Sequence, residues 1–189
     1  MSNQNLTNKI IYSYLVSQKY KTSKANQDFS EIYNINPDEW ILIYNSLHNS
    51  KISNKIKEFC YKIYHRYLPT KSLLYKMNIV DTPRCNLCQM YNQTTKHLFL
   101  DCFESKNLWF RLEDFVHKEY SITIDFTSKI KVFGLTTTSE HKNEMNRYIY
   151  GIKYYIFTAT IQDKPLNFNE FIRNSTEYFS NACTFLSLL

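Results

Sequence analysis

At 189 residues with 43% hydrophobic side chains, the chain can close one core and is too apolar for a disordered protein. It has only 2 glycines, which excludes the glycine-rich loops that cradle phosphates in GxGxxG and GxxxxGK nucleotide sites. Lysine and arginine total 23 against 17 acidic residues, a formal balance of +6 that leans weakly toward a polyanionic partner.

Taken in chain order, residues 6–16 have the spacing of a short helix, and 18–29 read as a polar, lysine-containing linker. After Asn36-Pro37-Asp38, the spacing of Trp40, Ile41, Ile43, Tyr44 and Leu47 predicts a helix capped by Asn36 or Asp38. A polar break at 48–53 precedes a helix over 55–68, with Ile56, Phe59, Cys60, Ile63 and Tyr67 on its apolar face and Pro69 as its stop. Thr70 then caps a short helix, KSLLYKM, and Asp81-Thr82-Pro83 turns the chain into a cysteine-rich segment.

From Lys96 the pattern is helical again through Val116, with a bend near 103–105. Residues 119–126 alternate like a strand but are too isolated to build a sheet, and are read as a linker or an extended edge. A helical turn at 128–132 ends at Gly134. Ser139 opens a long helix striped by Met145, Tyr148, Ile149, Ile152, Tyr155, Ile156 and Ala159, which Asp163-Lys164-Pro165 ends. Phe168, Phe171, Ile172, Phe179, Ala182, Phe185 and Leu186 mark a last apolar helix face. The expected architecture is all-α: a small helical domain stapled by a metal knuckle, followed by two long C-terminal helices. Its expected divisions are 1–35 (N-terminal helix and linker), 36–118 (knuckle domain) and 119–189 (C-terminal helices).

Cysteines stand at 60, 85, 88, 102 and 183, an odd set with three members crowded together, which a disulfide framework would not favour. The apolar stretch at 10–16 is interrupted by tyrosines and a serine, unlike a signal peptide, and no run approaches the ~18 apolar residues of a membrane span. The expectation is an intracellular protein, nuclear or cytoplasmic, with no membrane partner. In such compartments clustered thiols stay reduced and are more often metal ligands than bridges.

The segment CNLCQMYNQTTKHLFLDC places Cys85 and Cys88 in CxxC spacing, then His97 and Cys102 near a helix start. A CxxC turn lets two thiolates hold one ion, and three sulfurs plus one imidazole without a carboxylate select Zn²⁺. A Cys3His set fills the tetrahedron and leaves no position for water or substrate. The competing readings are buried cysteines as small hydrophobes and a redox CxxC; the second needs a βαβ context that the pattern lacks. A deaminase-type zinc site would need an upstream HxE, whereas His65 is followed by Arg66-Tyr67. His65 reads as a solvated helix histidine, with membership of the basic row as the alternative; His48, His117 and His141 have no partners at ligand spacing, and Cys60, Trp40 and Trp109 read as core.

Between Lys51 and Arg84, eight cationic residues face only Glu58 and Asp81, so this stretch alone carries +6. On a helical wheel Lys55, Lys62 and Arg66 fall within ~40° of one another, a row along which a phosphate backbone could lie, with Lys71, Lys76 and Arg84 extending it. Tyr61, Tyr64 and Tyr75 are candidates for stacking on unpaired bases, against the plainer reading of ordinary amphipathic packing.

The run FCYKIYHRYLPTKSLLYKMNI, then CNLC, then HLFLDCFESKNLW, resembles the zinc-binding region at the C-terminal end of reverse transcriptases of non-LTR (LINE-type) retrotransposons. The specific part spans about residues 55–112 and includes Leu68-Pro69-Thr70, Cys85 and Cys88, the element from His97 to Cys102, and Trp109. The resemblance implies a nucleic-acid-binding appendage of a retroelement polymerase, holding template RNA or target DNA near polymerase and endonuclease modules, with Cys85, Cys88, His97 and Cys102 as zinc ligands. No YxDD aspartate pair or endonuclease segment occurs, so no enzymatic activity carries over. That leaves a decayed fragment, a separate reading frame or a recruited domain. The expected function is non-catalytic nucleic-acid binding; the alternative is a protein-docking module using the apolar C-terminal helices.

Overall fold

The computed structural model describes residues 23–137 and 140–179, with side chains through Ser175. The expected helix at 6–16, the helix start at Ser139, Cys183, and the apolar positions Phe179, Ala182, Phe185 and Leu186 lie outside the described residues or side chains.

Among the described residues the chain is all-α, with one isolated antiparallel bridge, Arg84 to Asn92. The first helix, α1 (Lys24–Tyr33), corrects the linker expected at 18–29. The Ser23 side chain accepts from the Asn26 N–H at its start, and Ala25 and Phe29 bury its inner face, so a polar composition conceals a sparse apolar stripe. Helix α2 (Pro37–Asn49) begins as its sequence dictates, with Pro37 in the first turn and the Asn36 side chain accepting from the Glu39 N–H.

Helix α3 (Asn54–Tyr64) stops short of the expected Leu68. Arg66 adopts φ +59°, and the N–H groups of Tyr67 and Arg66 return to the carbonyls of Lys62 and Ile63, the paired bonds of a Schellman cap. Pro69 therefore follows the stop and does not cause it. The early end also changes the buried face: Tyr64 is fully buried and Tyr67 is exposed, reversing the expectation for both.

Helix α4 (Lys71–Lys76) follows, then a loop, a π-helical turn (His97–Asp101) and α5 (Phe103–Tyr120). The break falls at Cys102, whose extended ψ of 131° separates the two. Residues 122–127 are irregular, as expected of a linker, although Phe126 is buried. Helix α6 (Ser128–Phe133) ends at Gly134, where φ is +82° and an added Cβ would collide with Tyr150 Oη and lie 2.7 Å from Asn146 Oδ1. Helices α7 (Lys142–Ile161) and α8 (Phe168–Phe179) complete the described chain.

Helix α7 runs through the centre of the molecule and is packed on by α3, α8 and the π-turn. The expected stripe is buried except for half-buried Tyr148, and Asn146, Tyr150, Gly151 and Lys153 outside that stripe are buried as well. Asn146 locks this region: its Oδ1 accepts from the Leu135 N–H, and its Nδ2 donates to Ser46 Oγ and the Leu135 carbonyl. Phe133 is the aromatic node, edge-on to Phe29, Tyr33 and Trp40 with centroids 5.4 to 5.5 Å apart. A single apolar cluster includes Phe29, Trp40, Phe59, Trp109, Ile149 and Phe171, and so crosses positions 35 and 118.

Candidate metal centre

Two elements bring the four soft donors together. The first is the turn after Pro83, closed by the Cys85 N–H to the Tyr91 carbonyl and the Gln89 N–H to the Cys85 carbonyl, with Gln89 at φ +56°. This turn presents Cys85 and Cys88. The second is the π-turn. In an α-helix, side chains five apart diverge by about 140°. Here the Cys102 N–H closes an i→i+5 bond to the His97 carbonyl at 2.7 Å, and the wider turn brings positions 97 and 102 to the same side.

One ligand atom from each of Cys85, Cys88, His97 and Cys102 lies within 4.8 Å of all the others. Cys88 Sγ is 3.3 Å from His97 Nε2. With Zn–S bonds of about 2.3 Å, the edge of a tetrahedron is about 3.7 Å, so the spacing fits one ion. Cys85, Cys102 and His97 are buried, and Cys88 is half-buried. The Tyr91 ring sits 5.7 Å from the His97 ring.

The site favours thiolates. The Cys102 thiol and the backbone N–H groups of Cys88 and Leu87 hold the Cys85 thiol down to about 4. Cys102 is pushed up in turn, chiefly because Cys85 takes the negative charge and by burial, while the Glu104 and Ser105 N–H groups at the start of α5 oppose that shift. The pair thus holds its negative charge on Cys85, with the Cys102 thiol donating to it.

The protein family described as zinc-binding in reverse transcriptase matches residues 14–109, half of the chain, a range that includes Cys85, Cys88, His97 and Cys102 and ends at Trp109. The chain belongs to that family. No curated protein and no solved structure matches it.

The cationic residues do not form a single row. Lys55 and Lys62 remain neighbours on α3, where with Glu58 they flank a 420 Å³ cleft floored by Tyr154 and Phe157. Lys55 Nζ lies 5.5 Å from the Tyr154 ring centroid, and Lys62 pairs with Glu58 at 2.7 Å. Arg66 leaves the row because the helix ends before it; it pairs with Asp28 and lies 4.9 Å over the Phe29 ring. Lys76 is exposed on α4, Lys71 is half-buried at its start, and exposed Arg84 donates to the Gln89 carbonyl within the cysteine turn.

Tyr64 is withdrawn from any stacking surface, since it is fully buried and its hydroxyl donates to the Phe133 carbonyl. Tyr61 is partly exposed but stacked on Tyr44, with centroids 5.9 Å apart.

Three residues escaped the sequence. Gln93 supplies the N-terminal partners of α4: its Oε1 accepts from the Lys71 N–H and its carbonyl from the Ser72 N–H, the work assigned to Thr70. Nothing local marks a glutamine two dozen residues downstream as a cap. Tyr154 and Phe157 floor the cleft, and their phase, one position off the buried stripe, was the available signal.

Proposed function

We propose that the protein is a non-catalytic nucleic-acid-binding module in which one structural Zn²⁺, held by Cys85, Cys88, His97 and Cys102, fixes the loop between α4 and α5. When bound, zinc supplies no open coordination position and no chemistry beyond crosslinking four side chains. Family membership and the three-sulfur, one-imidazole donor set support the ion's identity.

The observation that carries the nucleic-acid reading is the cleft lined by Lys55, Lys62, Tyr154 and Phe157, in which Lys55 Nζ lies 5.5 Å from the Tyr154 ring centroid. Ammonium groups beside an aromatic floor are the combination that tracks a phosphate backbone while bases stack. RNA or DNA is the partner class, in the setting of a retroelement reverse transcriptase. Binding is expected to weaken steeply with salt, and Lys62→Ala to weaken it on every sequence while reducing the log–log salt slope by about 1. Affinity that is indifferent to salt between low and physiological concentration contradicts the reading.

A docking role has a specific observation in its favour, though not the expected one. The aromatic side chains Tyr155, Phe168 and Phe171 of the C-terminal helices are buried, while Phe103 and Phe110 on α5 and Met90 and Tyr91 in the cysteine turn are exposed. Self-association at micromolar concentration, lost in Phe110→Ser, would select this second reading.

A further inference from the structure

A second cavity, 560 Å³ in volume, opens between α1, the end of α3, α4 and the residues 94–96 that lead into the π-turn. That size lies in the range of about 300 to 1,000 Å³ typical of small-ligand sites. Its charged lining is entirely cationic: Arg66, Lys76 and Lys96 at the rim, and Lys153 at the floor. Arg66 and Lys96 each hold a carboxylate, Asp28 and Asp101, that lies outside the lining. Lys153 is fully buried, donates to the Val132 carbonyl and lies 5.1 Å from the Tyr150 ring centroid. Burial pulls its amine down to about 8.

The walls are apolar and aromatic, with Tyr33, Leu73 and Phe99 facing the space. Ser72 also lines it, and its Oγ is buried without a hydrogen-bond partner. An alkyl chain with one anionic head would need one cation and would leave Ser72 unmet. A flat polar ring carrying phosphates uses all of these features: apolar walls for its faces, a hydroxyl for its edge and several cations for its anions. Arg66, whose Cζ lies 4.9 Å over the Phe29 ring, adds a guanidinium at the mouth.

We propose that this cavity receives one unpaired nucleotide of a single strand, its base between Tyr33 and Leu73 and its phosphates at Arg66 and Lys76. The assignment rests on the nucleic-acid reading above and deepens it by selecting single strands over duplex, since a paired base cannot enter. The wall formed by Thr94 and Lys96 leads directly into His97, so the metal centre fixes one side of the cavity.

The test measures fluorescence anisotropy of labelled rU12, dT12 and a 12-base-pair duplex with the full chain at fixed salt. Leu73→Trp fills the cavity; Lys76→Ala, at an exposed rim position, serves if the first variant folds poorly. Single-strand affinity is expected to fall about tenfold or more in Leu73→Trp and several-fold in Lys76→Ala, with duplex affinity unchanged by Leu73→Trp. A loss confined to rU12 or to dT12 identifies which sugar the cavity accepts. Unchanged single-strand binding, or a parallel loss on duplex, overturns the proposal while leaving the general nucleic-acid reading intact. Wild-type protein that binds none of the three probes overturns both.

Discussion

Lys153 shows how a single residue sets a pH dependence. Its ammonium is fully buried, with the Val132 carbonyl and the rings of Tyr64 and Tyr150 around it. Burial lowers its pKa to about 8 from an ordinary 10.5, while nearby Cys60 partly opposes the shift. The unfolded chain therefore holds more protons than the folded one between those values, and stability contributed by this group rises as pH climbs through that window. Below about pH 8 the full penalty is present, of order 3 kcal/mol at about 1.4 kcal/mol for each pKa step. Cys60, raised to about 11 by its own burial, and Tyr64 and Tyr150, also raised, act in the opposite direction at higher pH. Lys153→Met should remove the rise between pH 7.5 and 9 in urea-unfolding midpoints relative to wild type. A wild-type curve parallel to the variant's across that range would show that Lys153 does not titrate on unfolding. In sequence, Lys153 lies between Ile149, Ile152 and Ile156, so helical phase already places it on the core side; its charge alone argues for the surface.

Among the elements, α4 depends on a distant partner. Its six residues are too few to be stable alone, and the N–H groups of Lys71 and Ser72 are both satisfied by Gln93, whose own N–H donates to the Pro83 carbonyl. Gln93→Ala should destabilise the protein by about 1 to 2 kcal/mol, the cost of losing a cap, measured by urea unfolding. A change below about 0.3 kcal/mol would show that water replaces the amide without loss.

Helix starts with local caps were legible: Asn36 before Pro37, and Gly134 as the end of α6. Helix ends were less so. With only 2 glycines, the left-handed caps fall to Asn34, Arg66, Asn78, Ser121 and Asp163, and at Arg66 nothing in the residue type announces the turn. The wheel drawn over 55–68 therefore misplaced Arg66, Tyr64 and Tyr67. The π-turn was equally hidden, because the same five-residue spacing suits an α-helix until the two ligands must face one ion.

For the whole molecule, the convergence of Cys85, Cys88, His97 and Cys102 was legible because soft donors at knuckle spacing carry their own chemistry, independent of the surrounding fold. The cationic surface was not, because it depends on where helices stop and on which faces α7 covers. Lys55 and Lys62 held their relation only because both lie inside α3. In the proposed function the metal centre joins these parts: an ion there would tie the turn carrying Cys85 to the π-turn carrying Leu98 and Phe99, both buried in the core, and would fix the loop that contains Gln93. Zinc analysis and zinc K-edge absorption fine structure of the purified protein test this most directly. The account predicts one zinc per chain, with three sulfurs at about 2.3 Å and one nitrogen at about 2.0 Å, reduced to two sulfurs in Cys88→Ser. A purified wild-type chain that is folded and metal-free, or whose bound zinc shows a ligand set without sulfur, would contradict it.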